Sequence, residues 1–172
     1  LLQGKHVIAS CRNPEKANFL IQLKEEHQEK LQIMSLNVED DASVASCFQK
    51  LQTINHSIDV LFNNAGVMDW KDFMEVASSS VEKIYKVNLV GCFLVTRAAI
   101  QCLQNSKTPL IVNLSSRLGS IELRGETQLG GAIGYQCSKA ALNMLTKQTA
   151  IDLKSLKIRV ISQSPGWVRT EM

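Results

Sequence analysis

The 172-residue chain has no C-x-x-C pair, only three histidines and three prolines, and just 5% aromatic residues. Each scarcity excludes something. Cys11, Cys47, Cys92, Cys102 and Cys137 are odd in number and irregularly spaced, which suits free thiols in a reducing compartment and makes the cytoplasm the expected location. His6, His27 and His56 stand far apart without ligand spacing, so no metal site is expected. No G-x-S-x-G turn offers a hydrolase serine, and no histidine lies near a plausible strand end to serve one. No apolar run reads as long enough to cross a bilayer, so no membrane partner is expected. The net charge is +3 and the basic residues are scattered, which gives a nucleic-acid surface little support. There is no low-complexity linker and no internal repeat, and 45% hydrophobic against 20% charged residues is the balance of a single core. One domain spanning residues 1–172 follows.

What is present is an alternation of short apolar runs with longer helical patterns. His6 to Ser10 reads as a strand, and a helix from about Glu15 to Glu29 follows, with Asn13 as its cap and Pro14 at its first position. Gln32 to Val38 is the next strand. Asp40 or Asp41 can cap a helix that lines up Val44, Cys47, Phe48 and Leu51, and Ile58 to Phe62 makes a third strand. Ser79 with Glu82 has the spacing of a capping box opening a long helix to about Gln104. Leu110 to Leu114 is a strand, Ser116 to Gly134 a glycine-rich loop, Tyr135 to Leu153 a helix, and Ile158 to Ser162 a last strand. Nearly continuous apolar strands separated by helices imply a parallel sheet covered on both faces. The expected fold is α/β, a Rossmann-like, doubly wound, three-layer arrangement.

In such sheets ligands sit outside the carboxyl ends of the strands. Those ends carry Cys11-Arg12-Asn13-Pro14, Asn37-Val38, Asn63-Asn64-Ala65-Gly66, Ser115-Ser116 and Ser164-Pro165-Gly166. Each alone reads equally well as turn chemistry. Tyr135 and Lys139 add something more specific, because residues four apart on a helix share a face and a neighbouring ammonium favours the phenolate of a group that otherwise titrates near ~10.

Together these residues resemble the short-chain dehydrogenase/reductase family over practically the whole chain. The family's N-N-A-G motif stands as Asn63 to Gly66, its helix asparagine as Asn88, its serine within Val112-Asn113-Leu114-Ser115-Ser116, its Y-x-x-x-K as Tyr135 to Lys139, and its P-G motif as Pro165-Gly166. Cys11 to Ala17, Leu118 to Ile121 and Pro165 to Val168 look more narrowly like the C-factor and sniffer-type carbonyl reductases. The resemblance implies an NADP(H)-dependent enzyme that reduces the carbonyl of a small molecule to an alcohol, homodimeric or homotetrameric when complete. Tyr135 would be the proton donor, and Lys139 would lower its pKa and hold the nicotinamide ribose. Ser116, three residues before Gly119, would hydrogen-bond the substrate, with Ser115 as the alternative, and Asn88 would disturb its helix to hold a relay water. Asn37 and Val38 would lie beside the adenine, Asn64, Ala65 and Gly66 along its ribose, and Val168 and Thr170 at the carboxamide. Arg12, where an acidic residue would otherwise grip a ribose hydroxyl, favours NADPH over NAD(H). A 3-oxoacyl or hydroxysteroid reductase of the same family and a non-catalytic dinucleotide-binding scaffold stand as alternatives.

Two features depart from the family pattern. No G-x-x-x-G-x-G turn is present, and the chain stops at Met172 where the family continues into a substrate-covering segment. The sequence reads as truncated at both ends, lacking the first strand and the pyrophosphate cradle, so the chain alone is expected to be inactive and poorly folded.

Overall fold

The computed structural model describes residues 5–53, 57–127 and 130–166. Its elements alternate as the apolar pattern requires: β1 (Val7–Cys11), α1 (Asn18–His27), β2 (Leu31–Ser35), α2 (Asp41–Thr53), β3 (Val60–Asn63), α3 (Ser78–Tyr85), α4 (Cys92–Gln104), β4 (Leu110–Leu114), α5 (Arg124–Thr127), α6 (Ile133–Asp152) and β5 (Arg159–Gln163). All five strands pair in parallel, as expected. They form two sheets, β1 beside β2, and β3-β4-β5 with β4 in the centre. Among the described residues, β1 and β3 each leave one edge without a strand partner.

A single core joins the two sheets. Met34 and Leu36 from the β2 side, Val44, Cys47, Phe48 and Leu51 of α2, Leu94, Val95, Ala99, Cys102 and Leu103 of α4, and Ile111 of β4 form one buried cluster. The four α2 positions foreseen from their spacing all face it. Ile8 of β1 and Leu61 of β3 pack against the same cluster.

Several boundaries differ from the sequence expectation for local reasons. Asn13 makes no side-chain cap; Pro14–Lys16 is a separate 3-10 turn, and the chain breaks at Ala17 before α1 begins. Asp40 does act as a cap, its carboxylate accepting from the Ala42 N–H at 3.0 Å. The capping box at Ser79 and Glu82 is not what opens α3, whose N-terminus has no side-chain cap; the serine hydroxyl engaged there is that of Ser80, which donates to Asp69 at 2.7 Å. Contrary to the expectation of no membrane-length run, Ser78–Gln104 is helical for 27 residues, and its most apolar 18-residue stretch reaches a mean hydropathy of 1.3. Half of its most apolar stretch is buried, because this helix is part of the core.

Candidate active site

The site forms where α6 crosses the carboxyl end of β4. Gly131 and Ala132 have positive φ, 70° and 49°, and this tight reversal aims the first turn of α6 back toward the strand ends. At Gly131 a side chain would also meet the Trp70 carbonyl at 2.8 Å, so glycine is required both for conformation and for the close approach of the 67–77 loop. The Gln136 amide donates to the Gly131 carbonyl at 2.6 Å and holds the turn.

Tyr135 is half-buried and Lys139 is 5% exposed. The helix places both on one side. Lys139 Nζ donates to the Leu114 carbonyl at 2.7 Å and lies 5.4 Å from the centre of the Tyr135 ring. The net shift of Tyr135 runs opposite to the expected lowering. Burial raises the phenol above its ordinary value, with the Ser116 side chain pulling the other way by hydrogen bonding. Burial likewise lowers the Lys139 ammonium below its usual range.

The two serines after β4 have different surroundings. Ser115 is buried, and its hydroxyl donates to Asn143 Oδ1 at 2.8 Å. Ser116, in extended backbone (φ −150°, ψ 151°), accepts from the Leu118 N–H at 3.2 Å and faces Tyr135. Ser115 is thus engaged in holding structure, whereas Ser116 faces the phenol.

Asn88 lies 1% exposed inside a π-helical turn, Lys86–Gly91, that interrupts the long helix between α3 and α4. Such a turn widens the backbone and redirects a side chain. Asn88 Nδ2 donates to the Val67 carbonyl and to Ser138 Oγ, both at 3.0 Å, and Oδ1 accepts from the Val67 N–H at 2.9 Å. The Ser138 hydroxyl in turn donates to the Tyr135 carbonyl at 2.7 Å. Asn88 therefore ties the loop after β3 to the helix that carries Tyr135.

The residues expected to meet a dinucleotide occupy the strand ends. Arg12 is exposed just past β1, and the Ser35 hydroxyl donates to its carbonyl at 3.3 Å. Asn37 follows β2, its side chain accepting from the Glu39 N–H at 3.2 Å, and Val38 packs so closely on Gly91 that a Cβ there would lie 2.9 Å away. Asn64 and Ala65 are exposed after β3. The nearest atoms to an added Cβ at Gly66 would be Asn88 Oδ1 at 3.5 Å, Lys139 Nζ at 3.8 Å and the Asn64 carbonyl at 3.9 Å. Val168 and Thr170 lie outside the described residues.

Sequence reasoning missed Ser138, Asn113 and Asn143. Asn113 is 2% exposed and joins Asn63, Cys92 and Thr146, which links β3, β4, α4 and α6. The available signals were polar residues inside otherwise apolar segments, and for Asn143 its place four residues beyond Lys139.

The short chain dehydrogenase family model matches residues 1–172. The chain is 29% identical over 170 residues to the 3-oxoacyl-[acyl-carrier-protein] reductase FabG of Aquifex aeolicus (strain VF5), covering 98% of this chain and 66% of that one. It thus spans just under two thirds of the length of the first curated relatives it matches, 66% in each case. Its structure superposes on the NADPH-bound carbonyl reductase from chicken fatty liver with a TM-score of 0.91 at 30% identity, covering 98% of this chain and 71% of that one. The carbonyl reductase Sniffer of D. melanogaster gives 0.87 at 30% identity, with 97% and 71% covered. The parallel α/β fold and a family match over the entire length place this chain in the short chain dehydrogenase family, with a structure similar to those of the Sniffer-type carbonyl reductases.

Proposed function

We propose that the protein reduces the carbonyl group of a small molecule to an alcohol with NADPH, in the cytoplasm, with Tyr135 as proton donor. The observation that carries this reading is the half-buried Tyr135 phenol, set beside the Lys139 ammonium on α6 and faced by Ser116. A phenol held in its neutral form is an acid with a proton to give to an oxygen on which negative charge develops. The Ser116 hydroxyl can donate to the same oxygen, aligning the carbonyl and sharing that charge. Lys139 uses one of its three N–H donors on Leu114, which leaves donors for a sugar hydroxyl beside Gly66.

The chain's residues fit a nicotinamide dinucleotide at this edge. When bound it would supply hydride to the carbonyl carbon. The glycine floor at Gly66 and the Lys139 donors would hold its ribose, and Asn64, Ala65, Asn37 and Val38 would line the adenosine side. Val168 and Thr170 stay assigned to the carboxamide by motif alone. Arg12, exposed and cationic just past β1, suits a 2′-phosphate and carries the preference for NADPH. A homo-oligomer is part of the same proposal, on family resemblance.

The test is steady-state turnover of the complete protein over a panel of carbonyl substrates, with NADPH and NADH, for wild type and Tyr135→Phe. NADPH should give the higher kcat/KM, and the variant should lose about two to four orders of magnitude in kcat with little change in cofactor affinity. Turnover preserved in Tyr135→Phe would transfer the acid role to another group, and an NADH preference would remove the role given to Arg12.

A further inference from the structure

The segment that carries Ser116 is held by a side chain with no part in the chemistry above. Asn143 lies on α6 one turn beyond Lys139 and two turns beyond Tyr135. Its Oδ1 accepts from Ser115 Oγ at 2.8 Å and from Ser162 Oγ of β5 at 2.8 Å. Its Nδ2 donates to the Gly119 carbonyl at 3.4 Å. A single planar amide therefore grips the residue before Ser116 and the residue three after it. Both are fixed to the helix that presents the phenol.

We propose that Asn143 is the positioning residue for Ser116, clamping both ends of the 115–119 segment on α6 and so setting the approach of the Ser116 hydroxyl to Tyr135. The inference rests on the carbonyl-reductase reading, since that reading gives Ser116 its task. Other contacts hold the segment only in part: the Ser115 hydroxyl also reaches the Lys139 carbonyl of α6, at the longer distance of 3.5 Å. The Ser115 N–H donates to the Gln163 carbonyl at 2.8 Å, which fixes the strand end relative to β5 and not relative to α6. Gly119 lies flat on the helix, where an added Cβ would come within 2.7 Å of the Lys139 carbonyl carbon. Flat contact sets a height above the helix and permits sliding along it, whereas hydrogen bonds to one rigid amide fix the register. The Ser116 hydroxyl itself has only the local bond from the Leu118 N–H to restrain it within the segment. Its reach toward the phenol then follows from where the backbone is clamped.

The experiment needs neither cofactor nor substrate. The full chain is prepared with tyrosine labelled with ¹³C at Cζ; Tyr85 and Tyr135 are its two tyrosines, and Tyr85→Phe assigns the resonances. Ser116→Ala defines the displacement of the Tyr135 signal when the serine contact is gone. Asn143→Ala should reproduce most of that displacement while Tyr85 stays in place, and the double variant should add nothing to Ser116→Ala, as expected of two residues acting through one contact. Ser162→Ala, which removes only the β5 tether, should leave Tyr135 unmoved. A Tyr135 signal unchanged in Asn143→Ala but displaced in Ser116→Ala overturns the positioning role and leaves the role of Ser116 intact. A signal unchanged in Ser116→Ala overturns both. Should Asn143→Ala fail to fold, Ser115→Ala cuts one clamped end by removing the hydroxyl that reaches Asn143 Oδ1 and the Lys139 carbonyl, and must move Tyr135 in the same direction; no movement refutes the inference.

Discussion

Cys92 shows how one buried side chain sets the pH response of this site. It is 8% exposed, its thiol donates to Asn113 Oδ1 at 3.3 Å, and burial raises its pKa from 9.0 to about 11. Between those values the unfolded chain has lost the thiol proton and the folded chain still holds it, so the unfolded state gains stability as pH rises. A gap of that size corresponds to roughly 2–3 kcal/mol lost across the interval. Tyr135, also raised, works in the same direction at higher pH, while Lys139, lowered by burial, works against both by shedding its proton earlier in the folded state. Unfolding free energies measured by urea titration across this range should fall for wild type and fall less steeply for Cys92→Ala; equal slopes would mean that Cys92 is not the group responsible. At this scale the sequence was legible for spacing and silent on direction. Tyr135 and Lys139 share a helix face because they are four apart, yet Lys139 turns to a carbonyl 25 residues earlier in the chain, a partner that only the fold supplies. The same holds for Asn143, whose partners come from the residue after β4, from β5 and from the 3-10 turn at Arg117–Gly119.

Elements were legible where burial dictates the pattern and obscure where a single tertiary contact decides an end. The α2 stripe and the run of β4 follow from apolar spacing, and both are in the core. The start of α3 does not follow from its own residues, because Asp69, eleven residues away, takes the Ser80 hydroxyl. The disturbance expected at Asn88 exists as a π-helical turn, since a buried amide there bonds Val67 in preference to leaving the helix regular. The 3-10 turn Arg117–Gly119 poses the sharpest steric condition on any element. A Cβ at Gly119 would meet the Lys139 carbonyl carbon, Lys139 Cβ and Ala140 N at 2.7, 2.8 and 2.9 Å, and helix backbone cannot yield as a side chain can. Gly119→Ala should therefore lift the turn from α6, destabilise the protein by about 1–3 kcal/mol and displace Ser116 from Tyr135. Gly125→Ala is the matched control, because nothing lies within 4 Å of its Cβ position and the change should be neutral or slightly stabilising. Thermal melts of the two variants decide the matter, and equal melting temperatures would contradict the steric argument.

Across the whole molecule the sheet pairing and the core make different demands. One buried cluster draws from α2, α4 and both sheets, so packing ties the halves into one unit. Pairing is less even. β4 bonds strands on both sides, whereas β1 pairs only with β2, and β3 only with β4, among the described residues. The sequence reading reached the parallel strand order, but apolar patterning reports which residues are buried and carries no information on which neighbour accepts each N–H. That information lies in register. The Leu36 N–H donates to the Cys11 carbonyl, and the Leu110 N–H to the Asp59 carbonyl, both at 2.9 Å. In a parallel ladder, alternate amides of a strand then point to opposite sides. With Cys11 opposite Ser35, the amides of Ala9 and Cys11 point to β2, and those of Ile8 and Ser10 to the open edge. With Val60 opposite Leu110, the amides of Leu61 and Asn63 point to β4, and those of Val60 and Phe62 to the open edge. Phe62 is 62% exposed, so water reaches that edge. Amide hydrogen exchange on the chain should show an alternation: slow at Ala9, Cys11, Leu61 and Asn63, fast at Ile8, Ser10, Val60 and Phe62, and slow at Ile111 to Asn113 inside β4. A core shared by both sheets keeps the bonded amides protected even though each edge strand has a single partner. Uniform protection along β1 and β3 would show that both edges are covered in solution, and uniform exchange would show that the shared core does not hold the edge strands in place.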